Sequence, residues 1–259
     1  MNPVTTLPRR MWRRLARIEP LSTPMARAKE TFEAVQFQLS PRHRARLKQE
    51  YARCRTLGEY FDFSQRVFGP HQLEPEITGF LELAAKERPR TVCEIGTAKG
   101  GTTFLLGQAL PTTELLIGVD RFIRRRPRLG FFTRPGQSVL LLDGDSGSGE
   151  TLDQVKNALG GRPLDLLFID GDHTFAGVAR DFHVYRDLVR EGGLIAFHDI
   201  IEDSFTRTGV RTPHWTGDVP RFWRLLKEAY RAHELVASPD QDGLGIGVIH
   251  YDRSVNPPV

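Results

Sequence analysis

The chain has 259 residues, of which 39% are hydrophobic and 26% are charged. A chain of this length can bury a sizeable core, so a small fold that depends on disulfides or metals is excluded. Its two cysteines, Cys54 and Cys93, are far apart and lack metal-ligand spacing, which agrees with a reducing, cytoplasmic location. The sequence has neither a signal-peptide pattern nor an apolar run long enough to span a membrane, so we expect neither secretion nor membrane insertion.

The positive charge is concentrated near the N-terminus. The net charge is +4, but residues 1–60 hold 13 Lys/Arg and 5 Asp/Glu, a balance of +8, so the remainder is −4. Basic surfaces suit acidic partners such as lipid headgroups or nucleic acid. A solvated helical surface explains the same pattern and is the interpretation we favour. No recognition motif accompanies the charge, so no nucleic-acid partner is expected.

The predicted elements begin with helices and continue as alternating strands and helices. The first part, to about residue 25, is predicted to be irregular apart from a short amphipathic turn at 11–18. Ser40-Pro41 then resembles a helix start, and a second helix is predicted around Leu73–Ala84. Strands are predicted at Thr91–Ile95, Leu115–Val119, Val139–Leu142, Leu164–Ile169, Leu194–Phe197, Leu235–Ala237 and Gly245–Tyr251. Helices are predicted at 101–110, 150–159, 176–190 and 219–233, with an irregular stretch at 201–218. We expect this stretch and the N-terminal helices to build the acceptor pocket, with His214 and Trp215 either in a lid or in loop packing.

This alternation predicts a doubly wound α/β fold, with a mostly parallel sheet and helices on both faces. Gly192-Gly193 is predicted to end the helix at 176–190 and turn the chain into the next strand. We divide the chain into a basic helical N-terminal extension, residues 1–65, and a ligand-binding domain, residues 66–259.

The loop after the first predicted strand reads Glu94-Ile95-Gly96-Thr97-Ala98-Lys99-Gly100-Gly101. Its spacing excludes both the P-loop and the Gly-x-Gly-x-x-Gly dinucleotide fingerprint. The acid before the first glycine favours a cationic ligand over a pyrophosphate. S-adenosylmethionine fits, because Glu94 can attract its positive end while Thr102 and backbone N–H groups at the helix N-terminus hold its carboxylate.

Acids also follow the next two predicted strands. Asp120 lies where a carboxylate accepts both ribose hydroxyls, and Asp145, in Gly144-Asp145-Ser146, can accept from the adenine amino group. A generic turn with solvent-facing acids is the alternative. The predicted cofactor-binding residues are Glu94, Gly96, Thr97, Gly100, Thr102, Asp120, Asp145, Ser146 and Asp170.

The fourth and fifth strands carry the residues predicted to perform the chemistry. Asp170-Gly171-Asp172-His173 follows one strand and His198-Asp199 follows the other. His173, with Asp170 beside it, is the predicted catalytic base that takes a proton from an acceptor hydroxyl. Helix capping or packing is its alternative role. Asp170, His198 and Asp199 are predicted ligands for a divalent cation, and simple hydrogen bonding of the acids is the alternative.

Residues 121–134 form a basic loop with six arginines, three phenylalanines and no acids. Such a loop can bind an anionic or lipid-linked acceptor, or lie on an anionic membrane. It can equally pack against the N-terminal helices. The sequence leaves these alternatives open.

These motifs resemble the class I S-adenosylmethionine-dependent methyltransferases over residues 70–251. The resemblance is greatest to the group that contains the cephalosporin-hydroxylase-type enzyme of cephamycin synthesis and the macrolide sugar O-methyltransferases. It is carried by Glu94-Ile95-Gly96-Thr97, Gly118-Val119-Asp120, Gly144-Asp145-Ser146, Phe168-Ile169-Asp170-Gly171-Asp172-His173 and Phe197-His198-Asp199. It implies a seven-stranded sheet whose last strand is antiparallel.

The resemblance also implies residue roles. Glu94, Gly96, Thr102, Asp120 and Asp145 would contact the cofactor, Asp170 and Asp199 match the places of magnesium ligands, and His173 matches the proposed base. His198 stands where an acid is usual, and imidazole suits transition metals better than magnesium. In such enzymes the N-terminal part commonly shapes the acceptor site or an oligomer contact, so a homo-oligomer is expected.

The leading hypothesis is therefore O-methylation of a small-molecule hydroxyl, on a sugar or another specialised metabolite of natural product biosynthesis. S-adenosylmethionine would be the donor, with either magnesium or a transition metal as the divalent cation. N-methylation is one alternative. The other is a non-catalytic, membrane-recruited module that contacts anionic lipid through the basic extension and the basic loop.

Overall fold

The computed structural model describes residues 19–209 and 215–257, with side chains from residue 24 onward. The chain divides into two compact units, residues 1–48 and residues 49–259. The sequence-based boundary was placed at residue 65, whereas the two compact units meet after residue 48. The start of the ligand-binding domain at residue 66 stays a prediction.

The first unit is helical where it is described. Helix α1 (Glu19–Gln38) is followed by α2 (Pro41–Tyr51), whose last residues belong to the second unit. Phe37 near the end of α1 is buried, and its ring meets that of His43 edge-on at 6.2 Å. The prediction of an irregular segment to about residue 25 is wrong from Glu19 onward, and the predicted turn at 11–18 lies outside the described residues.

The second unit contains a seven-stranded sheet surrounded by helices. Its helices are α3 (Leu57–Val67), α4 (Glu74–Lys86), α5 (Gly101–Ala109), α6 (Arg126–Phe131), α7 (Gly149–Leu159), α8 (Phe175–Arg186), α9 (Ser204–Thr208) and α10 (Val219–Ala229). Its strands are β1 (Thr91–Ile95), β2 (Leu115–Asp120), β3 (Ser138–Asp143), β4 (Leu164–Ile169), β5 (Val189–His198), β6 (Ala232–Leu235) and β7 (Ile246–His250). No helix among the described residues is both long and apolar enough to cross a bilayer.

The strand order is β3-β2-β1-β4-β5-β7-β6. Strands β1 to β5 pair in parallel, and β7 pairs antiparallel with both β5 and β6. The predicted doubly wound α/β fold, with its antiparallel last strand, is confirmed.

Both faces of the sheet are covered, which is why its central strands read as continuous apolar runs. On one face, Phe197 of β5 packs against Phe182 of α8, with ring centroids 6.0 Å apart. On the other, Phe168 of β4 packs against Phe80 of α4, with centroids 5.3 Å apart. All five residues of β1 are buried, because the strand lies in the centre of the sheet between β2 and β4.

Two helices end earlier than predicted, because residues whose apolar spacing suggested a helix pair in strands instead. Helix α8 ends at Arg186 rather than residue 190, since Val189 already pairs with Leu164 of β4. Gly192-Gly193 therefore lies inside β5, at an irregularity of the β4–β5 register, and does not end the helix. Helix α10 ends at Ala229 rather than residue 233, because β6 begins at Ala232 and pairs with β7.

Four helices were not predicted. Besides α1, they are α3, α6 within the basic loop, and the short α9 within the supposedly irregular stretch 201–218. The predicted strand Leu235–Ala237 lies earlier, at Ala232–Leu235, and the other predicted strands are present with small differences at their ends.

Candidate functional site

The sheet register brings the predicted site residues to one edge. Ile95 of β1 pairs with Val119 of β2 and with Ile169 of β4, and Ile169 pairs with Phe197 of β5. The next residue of each strand therefore emerges at the same level: Gly96, Asp120, Asp170 and His198. This is the carboxyl edge at which doubly wound folds bind their ligands.

The loop after β1 is held tightly against its neighbours. The N–H groups of Gly96 and Thr97 both donate to the carbonyl of Val119, at 2.8 and 3.2 Å. Gly96 has φ +95°, and a Cβ there would lie 1.9 Å from the carbonyl oxygen of Asp170. Only glycine fits this position, because both the backbone conformation and the close approach exclude a side chain.

Glu94 lies beneath this loop. Its side chain is buried and accepts a hydrogen bond from the hydroxyl of Thr103 in α5. Burial raises the pKa of Glu94 to about 8, with the charge of Asp170 adding to the effect and the Thr103 hydrogen bond opposing it. Glu94 does not line the cavity described below, so its predicted contact with a cationic ligand stays a prediction.

Glu94 should make stability depend on pH. The unfolded chain loses this proton near pH 4.5 and the folded protein near pH 8, so the free energy of unfolding falls as pH rises through that window. In the wild type, the free energy of unfolding should decline by an amount on the order of a few kcal/mol between pH 5 and 9, and we expect Glu94→Gln to remove this decline. Urea unfolding across this range measures it, with the exposed Glu82→Gln as control. Equal pH profiles for wild type and Glu94→Gln would contradict the effect.

Asp120 organises the next part of the edge. One carboxylate oxygen accepts from the N–H of Ala98 at 2.8 Å and the other from the N–H of Phe122 at 2.8 Å. Ala98 itself has φ +46°, a conformation unusual for a non-glycine residue and typical of functional loops. Asp120 thus links the loop after β1 to the loop after β2.

Asp145, the predicted adenine contact, lies between two arginines. Its carboxylate is 3.3 Å from the guanidinium of Arg180 and 3.5 Å from that of Arg121, and it accepts from the N–H of Gly147 at 2.9 Å. The Gly147 hydrogen bond and the two arginines lower the pKa of Asp145. The arginines line the cavity and Asp145 does not, whereas the neighbouring Ser146 does.

One cavity of about 460 Å³ runs along this edge. Its volume falls within the ~300–1,000 Å³ typical of small-molecule sites. It is lined by Ile95, Gly96, Ala98, Val119, Asp120, Arg121, Gly144, Ser146, Asp170, Gly171, Asp172, His173, Arg180 and Trp215. Of the predicted cofactor residues, Gly96, Asp120, Ser146 and Asp170 line it, whereas Glu94, Thr97, Gly100, Thr102 and Asp145 do not.

Acids and histidines meet at the β4–β5 end of the edge. Nε2 of His173 is 3.8 Å from Oδ1 of Asp170 and 3.4 Å from Oδ2 of Asp199. Nδ1 of the buried His198 is 3.3 Å from Oδ1 of Asp170 and 3.4 Å from Oδ1 of Asp199. The four side chains thus form a ring in which carboxylates and imidazoles alternate.

These contacts shift the pKa values of the group. Burial favours the neutral imidazole of His173, but the hydrogen bond to Asp170 and the charge of Asp199 outweigh it and raise its pKa to about 9. Burial likewise opposes the charge on His198, and Asp170 and Asp199 raise its pKa well above the usual value. Burial raises the pKa of Asp170, yet the two histidines bring it below the ordinary value. The two acids thus favour protonation of the imidazoles, and the histidines favour ionisation of Asp170.

Three members of the ring also have the spacing of metal ligands. Among the described residues, Asp170, His173 and Asp199 each offer one ligand atom within 4.8 Å of the others. His198 was predicted to be the third ligand and His173 the base. The structure places both histidines beside the two acids, and the role of each stays a prediction.

His173 is held by Trp215, which lies in the stretch 201–218 that was expected to help build the acceptor pocket. Its Nδ1 lies 2.6 Å from the carbonyl oxygen of Trp215, and the two rings stack with centroids 5.6 Å apart. Because that carbonyl can only accept, Nδ1 is the donor and Nε2, which faces the two acids, is the basic nitrogen. The cap of α8 is Thr174, so His173 is not a capping residue.

Gln72 and Arg180 were not predicted at the site, whereas Trp215 was considered with His214 as part of a lid. Gln72 Nε2 donates to Asp170 Oδ2 at 3.5 Å from a segment before α4. Trp215 and Arg180 line the cavity although neither follows a strand directly. No local motif marks these three residues. His214, considered with Trp215 as part of a lid, lies outside the described residues.

The basic loop is largely engaged inside the second unit. Arg125 and Arg128 both donate to the carbonyl of Val67, Arg126 donates to that of Leu141, and Arg134 donates to that of Gly107. Phe132 packs among aromatic rings that include Phe63 and Phe104. These contacts favour the interpretation that the loop packs against the preceding helices.

Comparison with known proteins agrees with this architecture. Residues 93–200 match a family model described as a methyltransferase domain. The match includes the loop after β1, Asp120, Asp145 and the ends of β4 and β5, so it supports the predicted resemblance to the class I methyltransferases.

Solved structures resemble this chain in fold. An O-methyltransferase from Bacillus cereus, in complex with S-adenosylhomocysteine, is 21% identical with a TM-score of 0.50, covering 74% of this chain and 90% of that one. The MycE methyltransferase of the mycinamycin biosynthetic pathway, in complex with Mg and S-adenosylhomocysteine, is 21% identical with a TM-score of 0.52. That likeness covers 78% of this chain and 54% of MycE.

One curated relative matches in sequence. An uncharacterised protein of Acanthamoeba polyphaga mimivirus is 30% identical over 118 residues, which cover 42% of this chain and 51% of the viral protein. The match thus spans about half the length of that relative.

Proposed function

We propose that the chain is an S-adenosylmethionine-dependent O-methyltransferase that acts on a hydroxyl of a small molecule. One observation carries the proposal: Gly96, Asp120 and Ser146 line the same cavity as Asp170 and His173. A donor bound along the edge would thereby present its methyl group to the acid–histidine ring.

The residues present fit the donor. Gly96 lines the cavity without a side chain, and Asp120 offers carboxylate oxygens where β2 ends. Ser146 and Arg180 also line the cavity, and Arg180 lies 3.3 Å from Asp145 in the loop after β3, where the adenine is expected. S-adenosylmethionine supplies an electrophilic methyl group when it is bound.

His173 is the proposed base. Its Nδ1–H is fixed by the Trp215 carbonyl, so Nε2 is the atom that accepts the acceptor's proton. Asp199 and Asp170 orient the ring and stabilise the imidazolium that results. Because the pKa of His173 is about 9, most molecules carry the neutral, basic form of this side chain only at alkaline pH. A bound cation would lower that pKa.

The same side chains fit a divalent cation. Asp170, His173 and Asp199 would hold it, and a mixed set of carboxylate and imidazole donors favours a transition metal over magnesium. A cation there would polarise the acceptor hydroxyl and lower its pKa. In that state His173 is a ligand, and another group must take the proton.

Binding of S-adenosylhomocysteine tests the cofactor site directly. We expect calorimetry to detect binding to the wild-type chain, and Asp120→Asn to weaken it by about tenfold or more, because a charged acceptor is lost. Asp143→Asn is the matched control, since Asp143 pairs with Asp120 in the β2–β3 register but does not line the cavity. Absence of binding to the wild type would refute the proposal, and equal losses in both variants would refute the role of Asp120.

A further inference from the structure

An apolar stripe is exposed on the second half of α1. Phe32, Val35 and Leu39, which directly follows the helix, are 60%, 46% and 76% exposed. Spacings of three and four residues place side chains on the same side of a helix. The opposite side of this segment carries Phe37, which is buried. Apolar side chains grouped in this way on a surface mark an interaction site.

Basic residues follow the stripe directly. Arg42, Arg46 and Lys48 are exposed on α2, with spacings that place Arg42 and Arg46 on the same side of the helix. Arg42 comes three residues after Leu39, so their Cα atoms are at most about 11 Å apart. Within the first unit, residues 1–48, there are 11 Lys/Arg and 3 Asp/Glu, a balance of +8.

The positive charge of this unit distinguishes between possible binding partners of the apolar stripe. A second copy of the chain would bring an equal positive charge against the same surface, and the two would repel each other. An anionic bilayer accepts apolar side chains at its headgroup boundary and attracts arginine and lysine within a Debye length of its surface. The bilayer therefore satisfies both features of this unit.

We propose that α1 and the start of α2 bind the surface of an anionic membrane. Phe32, Val35 and Leu39 enter the boundary between headgroups and acyl chains, and Arg42, Arg46 and Lys48 contact lipid phosphates. The surface lies in the first unit rather than in the basic loop 121–134, where four arginines donate to carbonyls of their own chain. This inference goes beyond the proposed catalytic function and does not depend on it.

Vesicle flotation of the full chain tests the inference. We expect binding to phosphatidylcholine vesicles that contain phosphatidylglycerol, little binding to pure phosphatidylcholine, and release as salt is raised from about 0.1 M to 1 M. The double variant Phe32→Ser/Leu39→Ser and the triple variant Arg42→Ala/Arg46→Ala/Lys48→Ala should each reduce binding by about tenfold or more. Val236→Ser removes an exposed apolar residue of the second unit and should bind like wild type.

Several outcomes would overturn the inference. They are no flotation of the wild type, equal flotation with neutral and anionic vesicles, and full binding by either multiple variant. Sedimentation velocity can give a further contradicting outcome. If the wild type were a dimer that did not bind lipid, and Phe32→Ser/Leu39→Ser made it a monomer, the stripe would be an interface with a second copy of the chain. Circular dichroism melts and S-adenosylhomocysteine affinity show that each variant is folded, and they keep this test separate from that of the proposed function.

Discussion

Gly96→Ala is expected to lower the free energy of unfolding by about 3 kcal/mol or more, because it combines steric overlap with a left-handed backbone. The added Cβ would lie 1.9 Å from the carbonyl oxygen of Asp170 and 2.4 Å from its carbonyl carbon. Both of those atoms belong to backbone that β4 holds in place, so neither can move cheaply. For a chain of this size the thermal midpoint should fall by about 6–12 °C, which differential scanning calorimetry measures.

Gly136→Ala is the matched control for this prediction. Gly136 has φ +78°, close to the φ of Gly96, but an added Cβ there meets nothing within 4 Å. It therefore isolates the conformational cost, which is about 1 kcal/mol. If the two variants melted at the same temperature, the close contact between the loop and Asp170 would be wrong. If Gly96→Ala were stable but no longer bound S-adenosylhomocysteine, the contact would matter for binding alone.

His173→Ala is expected to reduce methyl transfer by about 10²- to 10⁴-fold, the usual contribution of a positioned base. In the wild type, kcat/KM should rise with pH, by up to about tenfold per unit, and level off near pH 9, where His173 loses its proton. The variant should lose this rise, because the titrating group is gone. Release of S-adenosylhomocysteine, measured with a hydroxyl acceptor found by screening, gives both profiles.

Two controls separate the base from other roles of His173. His183→Ala removes a partly buried histidine of α8 that does not line the cavity, and it should leave the rate within about twofold. Chelation is the second control. If EDTA abolished transfer in the wild type and His173→Ala no longer bound Mn²⁺, His173 would be a ligand rather than the base. If transfer survived both chelation and His173→Ala, N-methylation would be favoured over O-methylation.

Local sequence identified the residues that follow strands directly. Gly96, Asp120, Asp170 and Asp199 were predictable because strand ends in an alternating α/β pattern converge on one edge. The position of the loop after β1 was predictable because an apolar strand runs directly into glycines, and the acids after the next two strands added to the prediction that it binds a cofactor. The same reasoning identified His173, because it lies four residues beyond the end of β4.

Local sequence did not establish which contacts residues from distant segments make at the site. Trp215 contacts His173 across 42 residues, and Gln72 contacts Asp170 across 98. Neither residue belongs to a sequence motif, because it reaches the site only through the packing of segments that are distant in sequence. The depth of Glu94 was also unpredictable, because its burial depends on α5 closing over β1 and on the Thr103 hydroxyl.

The sequence by itself determined the sheet, its covering helices and the identity of the loop after β1, because these follow from hydrophobic periodicity and from residue types at strand ends. Only the tertiary structure decided which residues share the cavity. The loop glycine Gly96 and the carboxylates of Asp120 and Asp170 face it, whereas Glu94 lies buried beneath it and Asp145 lies between two arginines. The reason is physical: a motif fixes where a residue leaves its strand, but packing against other segments fixes where its side chain ends.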